Sequence, residues 1–103
     1  MSSPRRRRAK VFYTTAAERD LEGIAAYTLD VWGPEERERY LEMLERTCER
    51  IIPEHRRLGR EVAERAGISR WRAESLVIFF RDVEGGLEIV RFLHERMLAS
   101  RHL

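Results

Sequence analysis

The chain has 103 residues, 20 Lys+Arg against 18 Asp+Glu, 43% hydrophobic residues and a single cysteine. That leaves no room for a second domain of ordinary size or for an internal disulfide, and the apolar content with a net charge of only +2 excludes a disordered chain. One soluble domain over residues 10–103 is expected, with residues 1–9 as a basic disordered tail.

The basic residues are 19 arginines and one lysine, Lys10. Arg5 to Arg8 with Lys10 carry +5, which leaves −3 on everything from Val11 onward. Between Ala16 and Ile52 stand 5 basic and 10 acidic residues, and from Pro53 to Leu103 stand 10 basic and 8 acidic. The second half is therefore the cationic one. The arginine run has the composition of a nucleic-acid or membrane-surface contact, but the preferred reading of so short a terminal run is a solvated one. No apolar stretch approaches the roughly 20 residues of a membrane span or forms a signal peptide, so a cytoplasmic protein is expected, with Cys48 a small buried hydrophobe on a helix.

Lys10-Val-Phe-Tyr-Thr14 is β-branched and aromatic and reads as a first strand. Thr15 and Glu18 have capping-box spacing, which predicts a helix starting at Thr15. Its apolar face is Leu21, Ile24, Ala25, Thr28 and Val31/Trp32, with Arg19, Asp20 and Glu22 pointing away. Gly33-Pro34 ends that helix and opens a second, whose buried face is Tyr40/Leu41, Leu44, Cys48 and Ile51/Ile52 and whose outer face includes Glu45 and Glu49. Glu35 with Arg39 fits an exposed ion pair one turn apart. Pro53 is expected to break the second helix, and Glu54 to Gly67 reads as a loop with one helix-compatible piece at Glu61–Ala66.

A β half follows. Ser69 to Glu74 makes a strand and a turn. From Trp71 to Arg81 the chain alternates, with Leu76, Ile78 and Phe80 on one side and Val77 and Phe79 on the other. Glu84-Gly85-Gly86 signals a hairpin, and Leu87 to Leu93 alternates again. The expected fold is α+β, in the order β-α-α-β-β-β, with the N-terminal helical hairpin packed on a small antiparallel sheet.

The three histidines, His55, His94 and His102, stand far apart, so no metal site is expected. No glycine-rich turn enters a helix, so no nucleotide loop and no cofactor is expected either. Arg81, Arg91, His94 and Arg96 fall within 16 residues of each other. Such a group on adjacent strands suits phosphate stabilisation with proton transfer, or a charged docking surface, or ordinary exposed positions of a half-buried sheet.

Several segments carry a family pattern: Asp20-Leu-x-x-Ile24-x-x-Tyr27 followed by Trp32-Gly33, Leu58-Gly-Arg60, Val77-Ile-Phe-Phe-Arg81, and Glu88-Ile-Val-Arg-Phe-Leu-His94 with Arg96-Met97. In this order and over nearly the whole chain they resemble the ParE toxins of type II toxin–antitoxin systems, a branch of the RelE/ParE superfamily. The resemblance implies a toxin that inhibits DNA gyrase by binding and is neutralised by a ParD-like, ribbon-helix-helix antitoxin whose C-terminal segment folds on the toxin in a hetero-oligomer.

On that resemblance the target-binding residues are Arg81, Arg91, His94, Arg96, Leu98 and Arg101. An antitoxin helix would need an exposed apolar groove, which Tyr13, Tyr27 and Trp32 could rim; the other reading of all three is as core or staple residues. The RelE-like branch instead cleaves ribosome-bound mRNA, and as such an enzyme the chain would use Arg81, Arg91, His94 and Arg96. A third possibility is a non-toxic relative acting only in a repressor complex. This body has no lysine after Lys10, and Phe80 stands where a tyrosine hydroxyl is common in both branches. Arginine stays charged and is a poor proton carrier, so poisoning by binding is favoured. Leu98, where an acid is common after Arg96-Met97, and the one-residue offset of Gly67 from the family's Gly-x-Arg are departures from the pattern.

Overall fold

A computed structural model describes residues 10–57 and 63–95. The basic tail, the Leu58-Gly-Arg60 segment and the positions Arg96, Leu98 and Arg101 lie outside the described residues. Strand β1 (Lys10–Tyr13) leads into helices α1 (Thr15–Trp32) and α2 (Pro34–Arg46), a π-turn over Thr47–Ile51, and a short helix α3 (Ile52–Arg57). Strands β2 (Ala63–Arg65), β3 (Ile68–Ala73), β4 (Leu76–Val83) and β5 (Gly86–His94) follow.

The sheet has the order β1-β5-β4-β3-β2. The α+β reading holds, with two amendments. First, β1 runs parallel to β5, so the sheet is mixed, not wholly antiparallel. The helices lie between β1 and the other strands in the chain, and that length of crossover lets β1 return beside β5 in the same direction. Second, Ala63–Arg65 is a short strand paired with β3, where a helical piece was expected. Ala66 and Gly67, at φ 52° and 79°, form the tight turn that folds it back.

The parallel pair depends on Gly86. A Cβ built there would stand 1.9 Å from the Lys10 carbonyl oxygen, so only glycine lets the two backbones approach. Gly85, at φ 88°, makes the hairpin turn itself. The Gly-Gly pair thus divides two tasks, turning the chain and admitting a neighbouring strand.

Helix α1 is capped one residue earlier than the sequence suggests. Thr14, in an extended conformation, accepts a hydrogen bond from the Ala17 N–H at 3.0 Å, so Thr15 and Glu18 form no capping box. Position 14 wins because it also serves the sheet: its N–H donates to the Ile89 carbonyl at 3.1 Å and its hydroxyl to the Val90 carbonyl at 2.8 Å. One threonine ends β1, starts α1 and holds both against β5.

Pro53 does not break the helical path, which continues to Arg57. A proline ring inside an α-helix clashes with the carbonyl four residues back and lacks an N–H. The π-turn, in which the Ile52 N–H reaches the Thr47 carbonyl, widens the backbone just before Pro53 and places the proline in the first turn of α3. The preceding ion pair is also shifted: Arg39 bonds Glu36, not Glu35, and with Glu74 ties α2 to the β3–β4 turn.

Ala17, Leu44, Cys48 and Ile52 from the helical segments pack on Leu76, Ile78, Phe80, Leu87, Ile89 and Phe92 of the sheet. Two residues placed outside by the sequence reading face inward. Asp20 side-chain exposure is 15%, and Glu49 accepts a hydrogen bond from the Tyr13 hydroxyl at 3.0 Å. In both cases an acid on the helix flank meets a partner from the sheet layer that periodicity along one helix does not reveal.

The alternation of β5 is interrupted by a bulge. Phe79 pairs with Arg91 and Phe80 with Ile89, so Val90 is the extra residue. The burial pattern changes phase there, with Leu87 and Ile89 buried before it and Phe92 after. Arg91 is thereby turned off the core face.

Thr14→Ala removes the cap and one tie to β5, and should cost about 2 kcal/mol, a fall in Tm of roughly 10 °C. Thr15→Ala, at an exposed position, should stay within about 0.5 kcal/mol of the parent. Thermal melts of the two variants check the assignment of the cap.

Candidate target- and partner-binding surfaces

Residues directly paired across antiparallel strands project from the same side of the sheet. The register therefore sorts the β half into two faces. Leu76 with His94, Ile78 with Phe92, and Phe80 with Ile89 lie on the face packed against the helices. Val77, Phe79, Arg81, Arg91 and Leu93 lie on the other, and β3 adds Arg70 and Arg72 through their pairs with Phe79 and Val77.

Each sequence-derived candidate has a definite place. Arg81 is exposed and its Nε donates to Glu88 Oε1 at 2.8 Å, a cross-strand ion pair in direct register. Arg91 makes a forked contact with Asp20, Nε to Oδ2 at 2.7 Å and Nη2 to Oδ1 at 3.0 Å. This charge-assisted pair raises the Arg91 pKa further above its ordinary value. His94 is half-buried at the end of β5 and, by its pairing with Leu76, belongs to the opposite face. The arginines are brought together; the histidine is not brought to them.

The sequence reading missed Arg70 and Arg72, whose Arg-x-Arg spacing on a strand puts both on one face and was the available signal. Arg72 pairs with Glu95 at 2.9 Å. Nothing in the sequence spacing announces Asp20 as the partner of Arg91, since 71 residues separate them.

The three aromatics also separate. Tyr13 is half-buried, its ring stacked near Phe92 with centroids 6.5 Å apart and its hydroxyl committed to Glu49. Burial, the nearby Cys48 and the Glu49 hydrogen bond push its pKa far up. Tyr13 is thus packed against the core. Tyr27 and Trp32 are 64% and 68% exposed, and on the C-terminal half of α1 Tyr27 lies one turn from exposed Val31 while Trp32 lies one turn from exposed Leu29, two apolar pairs on different sides of the helix. These pairs begin about 20 Å along the helix from its N-terminus, at 1.5 Å per residue.

Cys48 is fully buried, and burial pushes its thiol up to about 12, so the thiolate a nucleophile requires is not formed near neutrality. No group of three or more His, Cys, Asp or Glu side chains converges on a metal-binding geometry among the described residues. His55 packs edge-on against Trp71, 4.8 Å between centroids, and serves the interior. No helix among the described residues is long and apolar enough to cross a membrane.

With a helical hairpin on one face of the sheet and arginines on the other, the arrangement can be set beside known proteins. The model of the ParE toxin of the type II toxin–antitoxin system parDE matches residues 11–99. The chain belongs to the ParE toxin family. Toxin ParE1 of Mycobacterium tuberculosis (strain H37Rv) is 35% identical over 97 residues, covering 92% of this chain and 98% of the relative. Toxin ParE1 of Caulobacter vibrioides is 39% identical over 88 residues, covering 84% of this chain and 90% of that one.

Two solved structures share the fold at low identity. A chain of the chromosomal ParDE system from P. aeruginosa superposes with a TM-score of 0.66 at 19% identity, covering 84% of this chain and 95% of that one. A chain of the toxin–antitoxin complex RelBE2 from M. tuberculosis gives 0.59 at 21%, covering 85% and 99%.

The neutral burial of Tyr13 and Cys48 sets an alkaline limit for this ParE-family chain. Both groups have folded pKa values above their ordinary ones of 10.0 and 9.0, so their contribution is complete below pH 9 and is lost as pH rises toward 12. Tm should fall over that window, and Tyr13→Phe with Cys48→Ala should flatten the fall; melts at stepped pH read it directly.

Proposed function

We propose that this ParE-family toxin arrests growth in the cytoplasm by binding DNA gyrase through the arginine-bearing outer face of its sheet, and that it is not an enzyme. The observation that carries this reading is the state of the two central arginines. Arg81 and Arg91 are each held by a carboxylate, Glu88 and Asp20. A guanidinium in an ion pair is a recognition group with fixed geometry, and it does not exchange protons near neutral pH. His94, the candidate base, belongs to the other face by its register. An in-line cleavage of RNA needs proton transfer at both attacking and leaving oxygens, and the carboxylate that the register places on this face, Glu88, is engaged in the ion pair with Arg81.

The proposed partner is a ParD-like antitoxin of the ribbon-helix-helix type, whose C-terminal segment folds on the toxin. Tyr27 with Val31 and Trp32 with Leu29, on two sides of the C-terminal half of α1, are proposed as its docking contacts because large side chains so exposed are costly to leave in water. An amphipathic segment laid there would cover them and order itself in the process. The assembly of the P. aeruginosa ParDE system and of the RelBE2 complex supports this reading by analogy of fold. Arg96, Leu98 and Arg101 remain proposed target contacts.

The test is a supercoiling assay with purified toxin freed of antitoxin. Inhibition, or trapping of cleaved DNA, is expected, and Arg81→Ala with Arg91→Ala should abolish it without unfolding the protein. Failure to affect gyrase at large excess defeats the target, and cuts at defined codon positions in translated mRNA would replace it with the ribonuclease reading. Absence of growth arrest without antitoxin would leave only a repressor-complex role. For the antitoxin surface, Tyr27→Ala with Trp32→Ala should weaken antitoxin binding by at least about 30-fold, the loss of a two-residue hot spot, while leaving gyrase inhibition intact.

A further inference from the structure

We infer that Asp20 is a positioning residue for Arg91, holding that guanidinium beside the edge of β5 in the orientation that engages the toxin's target. The inference rests on the proposed target-binding role of Arg91 and adds a residue that belongs to neither the target nor the antitoxin surface.

Three hydrogen bonds make the arrangement. Asp20 Oδ2 accepts from the Phe92 backbone N–H at 2.9 Å and from Arg91 Nε at 2.7 Å, and Asp20 Oδ1 accepts from Arg91 Nη2 at 3.0 Å. The first bond anchors the carboxylate to the backbone of β5. The other two grip one edge of the guanidinium. A planar fork gripped along Nε and Nη2 has its remaining edge fixed in direction, and among the described residues Nη1 makes no hydrogen bond.

Arg91 is paired in register with Phe79, so its side chain leaves the backbone on the face that carries Val77, Phe79 and Arg81, and its guanidinium is held beside the β5 edge where Asp20 meets the Phe92 N–H. Exposures of 15% for Asp20 and 40% for Arg91 complete the division of roles: the acid is withdrawn and the base is presented. An arginine free to sample its rotamers loses side-chain entropy on binding an anionic or carbonyl partner, and a prepositioned one loses less. The bulge at Val90 is what makes this possible, because without it Arg91 would follow Leu87 and Ile89 onto the core face.

The experiment is a double-mutant cycle in the full-length chain, read by growth arrest over an inducer series and by inhibition with purified protein, with Tm measured alongside. Asp20→Asn keeps an oxygen for the Phe92 N–H but loses the charged grip on Arg91. It should lower potency by roughly tenfold, the range for loss of a forked charge-assisted contact, with Tm close to the parent's. Asp20→Glu should restore most of the potency. Arg91→Lys, which keeps the charge without the fork, should match Asp20→Asn. In an Arg91→Ala background, Asp20→Asn should cause no further loss of potency.

The inference is overturned if Asp20→Asn is as potent as the parent while Arg91→Ala is not, or if Asp20→Asn lowers potency equally with and without Arg91. Full potency of Arg91→Ala would instead defeat the target-binding role of Arg91, and the inference with it. A parent chain that neither arrests growth nor inhibits would defeat the toxin reading itself.

Discussion

Strand β5 must satisfy a row of backbone groups along a side that β1 covers for only four residues. Unpaired N–H and C=O groups in a protein interior are costly, so the chain beyond β1 has to supply partners. It does so with side chains and the start of a helix. Thr14 takes the Ile89 and Val90 carbonyls, and Asp20, one and a half turns further on, takes the Phe92 N–H. The N-terminal third of α1 thus replaces the missing length of strand. The position of α1, and through the tight Gly33-Pro34 connection that of α2, follows from this row of bonds along β5.

The same row places the functional chemistry. A carboxylate that caps an edge donator at Phe92 is adjacent in space to Arg91, and the forked pair forms with little extra reorganisation. The bulge at Val90 sets which side of the sheet that arginine occupies, while Gly86 admits β1 closely enough to begin the row. Three local features of one strand, a glycine, a bulge and an edge donor, therefore determine both how the helical hairpin docks and which arginines share the open face. The exposure of Tyr27, Leu29, Val31 and Trp32 is a separate matter, because they flank the side of α1 that buries Thr28.

Much of this was legible residue by residue. The alternation of Leu76, Ile78 and Phe80 against Val77 and Phe79 matches the buried and open faces of β4, because a single unbulged strand obeys a period of two. The periodic run Leu44, Cys48, Ile52 matches the buried side of the helical path even through Pro53, since the π-turn carries it on. Arg81 and Arg91 share a face only through the bulge at Val90, which linear spacing does not reveal, whereas His94, three residues after Arg91 on the same strand with no bulge between them, falls on the opposite face by simple alternation. Tyr13 could not be distinguished from Tyr27 by type or setting, since each is an aromatic near an element's end; only a partner such as Glu49 separates them.

The amino-acid sequence by itself determined the α+β class, the hairpin of helices, the identity of the main core residues and the membership of the ParE family, because periodicity, caps and motifs are encoded over short distances along the chain. The tertiary structure decided the parallel placement of β1, the shift of the cap to Thr14, the inward turn of Asp20 and, through the bulge at Val90, the shared face of Arg81 and Arg91. Each of those depends on a partner far away in sequence, such as Gly86 for Lys10 or Arg91 for Asp20. A helix flank or a strand position is neutral in its own neighbourhood until the fold brings an unsatisfied donor or a charge against it. The composition that opens the description, nineteen arginines and one lysine, gains its meaning at that point: forked guanidinium pairs hold the face that a flexible ammonium would leave unfixed.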